Sequence, residues 1–171
     1  MSIVLIGYRG SGKTTIGRKL ADRLWQTFVD TDERIVAREG KSIKEIFEEH
    51  GEARFREIER EVIGEVSKLV DHVIALGGGA PTQANNREVI RAAGHKVIYL
   101  RCEPEVLIAR IQSDAQTAAN RPNLTALGGG IEEVKKLLAD REPIYREMMT
   151  AELDVTNLSA DEAVVRIARL V

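Results

Sequence analysis

Short apolar runs alternate with longer amphipathic stretches along this chain of 171 residues. Residues 3–6, 73–76 and 97–100 are each entirely apolar and lack the alternation of a strand with one exposed face. Such runs are typical of parallel strands that are buried on both faces. Residues 28–29 and 153–155 form two weaker strand candidates. The apolar runs therefore predict a sheet of mostly buried parallel strands.

Between these runs, apolar residues recur at helical spacing. Residues 12–24 place Ile16, Leu20 and Leu24 four residues apart, and residues 52–70 carry a longer apolar stripe. That stripe consists of Phe55, Ile58, Val62, Val66 and Leu69. Two capping boxes also predict helix starts, Ser42 with Glu45 and Ser159 with Glu162. Strands that alternate with helices favour right-handed crossovers, and hence an α/β fold in which helices cover a parallel sheet.

Length and composition predict one domain spanning 1–171, because domains typically hold about 150 residues. Hydrophobic residues make up 43% of the chain, which is enough for a packed core. Lysine and arginine total 25 against 27 aspartate and glutamate, so the formal net charge is −2. That balance gives no electrostatic reason to expect a nucleic acid or an anionic membrane as a partner.

The rarer residue types narrow the expectations further. The single cysteine, Cys102, excludes an internal disulfide framework and is expected to be half-buried after a strand. The three histidines do not cluster, and Trp25 is expected to close a helix and pack on the core. The first residues lack the basic start of a secretion signal, and no stretch approaches the ~20 apolar residues of a membrane span. These features predict a cytoplasmic protein without membrane contact.

The strongest motif is GYRGSGKT at residues 7–14, which matches the phosphate-binding pattern G-x-x-x-x-G-K-[ST]. A buried strand precedes it and an amphipathic helix follows it, as this motif requires. Its glycines let backbone N–H groups converge on an anion, and the helix N-terminus adds about half a positive charge there. Lys13 is then placed to reach the β- and γ-phosphates, and the Thr14 hydroxyl to ligate Mg²⁺. The alternative is a glycine-rich turn that binds nothing.

Asp30 and Asp32 follow the second strand candidate in the segment FVDTD. Carboxylates at positions i and i+2 of a strand point the same way, here toward the end of the sheet where α/β proteins bind ligands. One of them is expected to hold a Mg²⁺ water or receive a hydroxyl proton, and the other to bind a hydroxylated substrate. The alternative is that either aspartate caps the helix that begins near Glu33.

Gly77, Gly78 and Gly79 directly follow the third strand. Glycines at this position let the backbone approach a small ligand closely, although such a run is often only a turn. Residues 73–76 contain no acid, so the strand that often supplies a metal-associated aspartate in phosphate-loop proteins supplies none here. Asp30 is therefore the natural candidate for the carboxylate of the metal.

Three arginines stand out by their context: Arg56 in GEARFREIE, Arg121 in NRPNL and Arg141 in ADREP. A guanidinium suits the bidentate binding of carboxylates and the stabilisation of a transferring phosphate. Taken singly, each arginine could equally be a solvated surface charge. Arg121 falls within the polar stretch 113–125, which has no periodicity and is expected to be a mobile lid.

Together these residues closely resemble one family, shikimate kinase, with the nucleoside-monophosphate-kinase-like fold. The resemblance runs from residue 3 to about residue 170 and depends on several segments in a fixed order. These are GYRGSGKTT, FVDTD, GEARFREIE, ALGGGAPT, NRPNL, LADREPIYRE and DVTNLS. The phosphate loop is common to many proteins, whereas the combination of DTD, FR, GGGA and REP-Y-R is far more specific.

The resemblance implies a three-layer αβα fold with a five-stranded parallel sheet in the order 2-3-1-4-5. It implies transfer of phosphate from ATP to the 3-hydroxyl of shikimate by a monomer, in the route to chorismate and the aromatic amino acids. Lys13, Asp30 and Arg121 would act in catalysis, and Thr14 and Asp30 would bind Mg²⁺, directly or through water. The residues implied for ATP are Gly10, Ser11, Gly12, Lys13, Thr14, Thr15, Arg110, Arg121, Asn157 and Ser159. Those implied for shikimate are Asp32, Arg56, Gly77, Gly78, Gly79 and Arg141.

Two other functions compete with this interpretation. A kinase of another small acceptor, such as gluconate or a nucleotide, would share the phosphate loop but would not need the DTD, GGG and arginine set. A regulatory or chaperone module could bind nucleotide without transferring phosphate. The presence of Lys13, Thr14, Asp30 and Arg121 argues against that module, because a non-catalytic protein does not need all four.

Overall fold

The computed structural model describes residues 1–114 and 130–171. Five parallel strands form one sheet in the order β2-β3-β1-β4-β5. The strands are β1 (Ile3–Ile6), β2 (Thr27–Asp30), β3 (His72–Ala75), β4 (Lys96–Arg101) and β5 (Ala151–Asp154). The expected sheet and its strand order are therefore confirmed, including the two weaker strand candidates.

Helices cover both sides of the sheet. They are α1 (Lys13–Leu24), α2 (Thr31–Glu39), α3 (Ile43–Val66), α4 (Ala84–Ala92), α5 (Pro104–Ser113), α6 (Ile131–Met148) and α7 (Ala160–Ile167), with a short 3₁₀ helix at Ala80–Thr82. Both predicted capping boxes are present, at the starts of α3 and α7. Within the described part of the chain, no helix is long and apolar enough to cross a membrane.

The apolar runs form the core because each lies between neighbouring strands and under helices. Every residue of β1 is buried, and Val4 pairs with Ile74 on one side and Val97 on the other. Helix α1 packs closely on this core, since a side chain in place of Gly17 would come within 2.4 Å of the Phe28 ring. The phosphate-loop motif leaves β1 at its carboxyl end, the edge at which β2 and β3 also end.

One expectation about local structure differs in its bounds, and two others, on the burial of Cys102 and of Trp25, were wrong. The helix predicted over 52–70 is the second part of α3, which starts at Ile43, bends at Gly51 and ends at Val66. Gly51 has φ 78° and ψ 171°, so the chain turns sharply between two helical parts. Cys102 is fully buried rather than half-buried. Trp25 does close α1, with φ 57°, but this left-handed residue is 96% exposed, because other residues of α1 fill the face that packs on the sheet.

Candidate functional site

Residues 7–14 form a loop between β1 and α1 whose shape depends on glycine. Gly10 has φ 85° and Gly12 has φ 94°, a backbone region that side chains strongly disfavour. The loop curls back on the side chain of Lys13, whose Nζ donates to the carbonyl oxygens of Gly7 at 2.7 Å and Tyr8 at 3.0 Å. The ammonium group is thereby held beside the first turn of α1, where a helix N-terminus favours anions.

Thr14 and Asp30 bring two oxygen ligands together at the start of α1. The Thr14 hydroxyl donates to Asp30 Oδ2 at 2.7 Å. The other oxygen of Asp30 accepts hydrogen bonds from the backbone N–H groups of Asp32 at 2.9 Å and Glu33 at 3.2 Å. Burial raises the pKa of Asp30, and the nearby charge of Asp32 raises it further. A hydroxyl and a carboxylate of this kind are hard oxygen donors that suit a small divalent cation.

The expectation that Asp30 and Asp32 both lie on one strand was wrong. Strand β2 ends at Asp30 and α2 begins at Thr31, so Asp32 belongs to the first turn of a helix and not to a strand. Asp30 also caps α2, which means that capping and a place in the site are compatible at this residue. The two carboxylates still reach one cavity, because α2 begins at the carboxyl edge of the sheet.

Each of the three consecutive glycines after β3 makes room for a different polar group. A Cβ on Gly77 would lie 2.6 Å from Asp32 Oδ1, and a Cβ on Gly79 would lie 2.6 Å from Arg56 Nη2. A Cβ on Gly78 would lie 3.3 Å from the backbone nitrogen of Arg9 and 3.6 Å from Arg141 Nη1. The run GGG is therefore more than a turn, since it lets side chains from α2, α3 and α6 converge at one point.

Arg56 is held in this cluster by a buried acid. Its Nη1 donates to Glu59 Oε1 at 2.8 Å, and its Nη2 lies 3.6 Å from Glu52 Oε1. Glu59 is only 1% exposed, and burial raises its pKa to about 7, although the Arg56 charge acts in the opposite direction. The ion pair fixes the direction in which the guanidinium faces the cavity.

Arg141 is also buried, although an arginine in α6 could have pointed to solvent. Its guanidinium lies over the ring of Tyr8, 5.5 Å from the centroid, which is within the range of a cation–π contact. It also makes a side-chain hydrogen bond with Tyr145, whose hydroxyl donates to the Gly78 carbonyl at 2.7 Å. Arg56 and Arg141 are therefore built into the site and are not solvated surface charges.

Two adjoining cavities meet at this edge of the sheet. The arginine cavity is lined by Arg9, Asp32, Ile43, Phe47, Phe55, Arg56, Glu59, Gly77, Gly78, Gly79 and Arg141. The phosphate-loop cavity is lined by Arg9, Gly10, Gly12, Lys13, Thr14, Thr15, Asp30, Asp32, Leu76, Arg110, Ile111 and Asp114. Arg9 and Asp32 belong to both cavities, so a group bound in one cavity can reach a group bound in the other.

A further cavity, the Arg110 cavity, continues from the phosphate loop toward β5. It is lined by Gly12, Thr15, Ile16, Arg110, Val155, Leu158 and Ala160. Arg110 borders it and donates to the carbonyl oxygens of Gly10 at 3.3 Å and Val155 at 3.4 Å. Of the residues implied for ATP, Asn157 and Ser159 are not among this lining, and the Ser159 hydroxyl instead caps α7 by accepting from the Glu162 backbone N–H.

Comparison with known proteins identifies the family. The family model described as shikimate kinase matches residues 9–171. A curated shikimate kinase of Rhodopirellula baltica is 40% identical over 167 residues, which cover 98% of this chain and 88% of that protein. The shikimate kinase of Mycobacterium avium is 44% identical over 165 residues, which cover 95% of this chain and 88% of that protein. The structure titled shikimate kinase from Acinetobacter baumannii in complex with shikimate superposes with a TM-score of 0.91 at 36% identity, covering 99% of this chain and 91% of that one.

The chain belongs to the shikimate kinase family. Shikimate kinases are ATP-dependent kinases that transfer phosphate to shikimate, and their use of ATP implies a divalent metal ion. The resemblance found in the sequence motifs is thereby confirmed. Arg121 and nearly all of the proposed lid at 113–125 lie outside the described residues, and so only Ser113, in α5, and Asp114 can be placed.

The charged or hydroxyl-bearing residues Glu59, Tyr145 and Arg9 belong to this site but were not predicted from the sequence. Glu59 and Tyr145 follow Arg56 and Arg141 by three and four residues, the spacings at which helical side chains meet. That spacing was an available signal for both partners. Arg9 occupies an unspecified position of the phosphate-loop pattern, and nothing in the sequence indicated that it would border both cavities.

Glu59 should make the stability of this protein depend on pH. Its pKa is about 7 in the folded chain against an ordinary value of 4.5, so between these pH values the folded chain keeps a proton that the unfolded chain has lost. The free energy of unfolding should therefore fall as pH rises from about 4.5 to 7. Urea unfolding at several pH values should show this slope reduced in Glu59→Gln. Glu57→Gln is the control, because Glu57 has a similar ion pair with Arg54 but is exposed. Equal slopes in wild type and Glu59→Gln would contradict the prediction.

Proposed function

We propose that this chain transfers the γ-phosphate of ATP to the 3-hydroxyl of shikimate, giving shikimate 3-phosphate and ADP for the synthesis of chorismate and the aromatic amino acids. The observation that carries this proposal is the junction of two cavities at Arg9 and Asp32. One cavity has the phosphate loop, and the other has the buried Arg141 and the half-buried Arg56 together with a carboxylate and three glycines. A phosphate donor and a hydroxylated carboxylic acid can therefore lie end to end.

ATP occupies the phosphate-loop cavity and the Arg110 cavity in this proposal. Its phosphates are bound by the segment from β1 into α1, namely Gly10, Ser11, Gly12, Lys13, Thr14 and Thr15. The adenine lies near Arg110, with Asn157 and Ser159 contributing through the backbone of the β5–α7 segment. Arg121 neutralises charge on the transferring phosphate.

Mg²⁺ is the divalent ion that fits this site. The Thr14 hydroxyl and the Asp30 carboxylate lie 2.7 Å apart, and Mg²⁺ in phosphoryl-transfer sites is held by one or two such protein oxygens with the substrate phosphates. These two residues would hold the ion, directly or through water. When bound, Mg²⁺ withdraws negative charge from the β- and γ-phosphate oxygens.

Shikimate occupies the arginine cavity. Arg56 and Arg141 bind its carboxylate, because two guanidinium groups converge there beside Gly78 and Gly79. Asp32 accepts hydrogen bonds from the ring hydroxyls, and the backbone of Gly77, Gly78 and Gly79 approaches the ring closely. The apolar side of the cavity, formed by Ile43, Phe47 and Phe55, packs on the carbon face of the ring.

Asp32 orients the attacking hydroxyl in the chemical step. A new bond forms between the 3-oxygen and the γ-phosphorus, the bond from that phosphorus to the β–γ bridging oxygen breaks, and ADP leaves with the electron pair. The hydroxyl proton passes to the Asp32 carboxylate, which lines both cavities. Lys13 and Arg121 neutralise charge on the phosphoryl oxygens while the transfer takes place.

A substrate panel read by coupled ADP release tests this function. Shikimate, gluconate, a nucleoside monophosphate and no acceptor are compared at equal enzyme and ATP concentrations. Rapid ADP release with shikimate alone is expected. Faster release with gluconate or the nucleotide would assign a different acceptor, and ATP binding without acceptor-dependent release would favour a nucleotide-binding module.

The chain is further proposed to act as a monomer in the cytoplasm, as one domain spanning 1–171, without nucleic acid or membrane partners. Support comes from the near-neutral net charge of −2 and from a single hydrophobic core that joins all five strands. Light scattering after gel filtration should give one species near the 19.0 kDa of the chain. A mass twice that value would contradict the monomer.

Gly79→Ala should weaken shikimate binding without unfolding the protein. Gly79 has φ −90° and ψ −10°, which alanine adopts freely, but its Cβ would lie 2.6 Å from Arg56 Nη2 and displace that group. Losing one charge-assisted hydrogen bond costs about 1.5–3 kcal/mol, so the KM for shikimate should rise by about 10- to 150-fold with the KM for ATP unchanged. The control is Gly64→Ala in α3, where a Cβ meets nothing within 4 Å. Equal KM values for shikimate in the two variants would contradict the prediction.

A further inference from the structure

Arg9 differs from the other cations that line the two cavities. Of these two cavities, Arg56 and Arg141 border the arginine cavity alone, and Lys13 and Arg110 border the phosphate-loop cavity alone. Among the described residues, Arg9 is the one cation that borders both. It therefore lies at the boundary that the transferred group must cross.

The surroundings of Arg9 fix this position. Its backbone nitrogen is 3.3 Å from the place of a Cβ on Gly78, so the phosphate loop and the glycines after β3 nearly touch there. The Nε atom is buried, which places the base of the guanidinium inside the protein. The charge of Arg9 also acts on the neighbouring Tyr8, where it opposes the burial that raises the pKa of that phenol.

The junction thus carries one cation and one carboxylate, Arg9 and Asp32, which suit two different partners. A carboxylate accepts a hydrogen bond from a hydroxyl but repels a phosphate. A planar guanidinium matches two phosphate oxygens with two parallel hydrogen bonds. The hydroxyl and the phosphoryl group that meet at this junction therefore each have a complementary group of the protein.

We propose that Arg9 binds the phosphoryl group while it passes from ATP to shikimate, and afterwards holds the phosphate of shikimate 3-phosphate. This inference rests on the function proposed above. In the transfer, the bond from the γ-phosphorus to the β–γ bridging oxygen breaks as the bond to the 3-oxygen forms, and the phosphoryl oxygens move toward the arginine cavity. Arg9 keeps contact with these oxygens on both sides of that movement, whereas Arg56 and Arg141 bind only the carboxylate.

The proposal separates the product from the substrate in binding experiments. Without nucleotide, Arg9→Met should weaken binding of shikimate 3-phosphate at least about 30-fold and binding of shikimate less than about threefold, by isothermal titration calorimetry. The kcat of Arg9→Met should fall by about 30- to 100-fold. This loss is smaller than the loss expected on removing Lys13, because Lys13 still neutralises the transferring phosphate in Arg9→Met. Arg9→Lys, which keeps the charge but not the planar fork, should recover part of both losses.

Arg91→Met is the matched control, because it removes the same charge from an exposed ion pair with Glu147, outside both cavities. Thermal melting and urea unfolding verify that each variant is folded. If Arg9→Met and Arg9→Lys both bind shikimate 3-phosphate as tightly as wild type does, the role of Arg9 is excluded. An equal loss of affinity for shikimate and its phosphate would also overturn it, since Arg9 would then act only on the shape of the cavity. A wild-type protein that releases no ADP with shikimate would instead overturn the proposed function.

Discussion

Lys13→Ala is expected to abolish phosphoryl transfer while leaving the protein folded. The Lys13 ammonium group lies inside the phosphate loop at the first turn of α1, where we propose that the β- and γ-phosphates bind. Removing a charged group that stabilises the transferring phosphate costs on the order of 10³–10⁵ in turnover in comparable sites. We therefore expect kcat, measured by ADP release with shikimate, to fall at least about a thousandfold.

Folding should survive this substitution because Lys13 is not part of the hydrophobic core. Its side chain borders the phosphate-loop cavity and donates to two loop carbonyls, Gly7 and Tyr8, to which water entering from that cavity can donate instead. The loss of stability should stay near 1–3 kcal/mol by urea unfolding. Lys19→Ala is the control, since Lys19 lies on the same helix but forms an exposed ion pair with Asp161. Comparable turnover in a folded Lys13→Ala variant would refute the assignment of this loop to ATP.

The sheet could be predicted from the sequence because its central strands consist almost entirely of apolar residues, as expected of strands that are buried on both faces. The apolar runs at 3–6, 73–76 and 97–100 allow little other than strands buried on both faces. The start of α3 was marked by a capping box, but its continuation through Gly51 was not, because a glycine with positive φ usually ends a helix. Trp25 was misjudged for a related reason: composition favours burial, whereas the left-handed end of α1 turns this residue outward.

The site was predictable where one motif contains all its parts and less so where the fold assembles it. Lys13 and Thr14 follow from the phosphate-loop pattern alone. Arg56 and Arg141 lie on α3 and α6, far apart in the chain. They meet only in the folded protein, where both guanidinium groups lie beside the glycines after β3. The burial of Glu59 and the position of Arg9 depend on the same packing of distant segments, which no local sequence pattern indicates.

Asp32 reaches the cavity to which it was assigned, but by a different geometry from the expected one. The prediction placed it on a strand two residues after Asp30, but it lies in the first turn of α2. It reaches the site because Asp30 caps that helix and directs its start toward the glycines. Capping by Asp30, which was treated above as an alternative to a functional role, therefore positions the second carboxylate.

Asp32→Asn should cause the second large loss of activity. The loss should affect the binding and phosphorylation of shikimate and leave nucleotide binding nearly unchanged. Asparagine has the size of aspartate, which matters because Asp32 Oδ1 lies only 2.6 Å from the place of a Cβ on Gly77. The amide presents donors to shikimate hydroxyls, a mismatch that costs about 1–3 kcal/mol, or roughly 5- to 150-fold in affinity. It also accepts no proton, and the loss of a general base costs typically 10²–10⁴-fold.

Together these effects should lower kcat/KM for shikimate by about 10³ or more, while nucleotide affinity, measured by titration calorimetry with ADP and Mg²⁺, should change less than about threefold. Asp22→Asn, at an exposed position of α1, removes the same charge outside both cavities and should leave the kinetics as in wild type. Nucleotide binding should be spared because Asp30, not Asp32, accepts the hydrogen bond of Thr14. If nucleotide affinity fell as far as shikimate affinity, Asp32 would belong to the metal site, and the proton would have to leave the hydroxyl by another route.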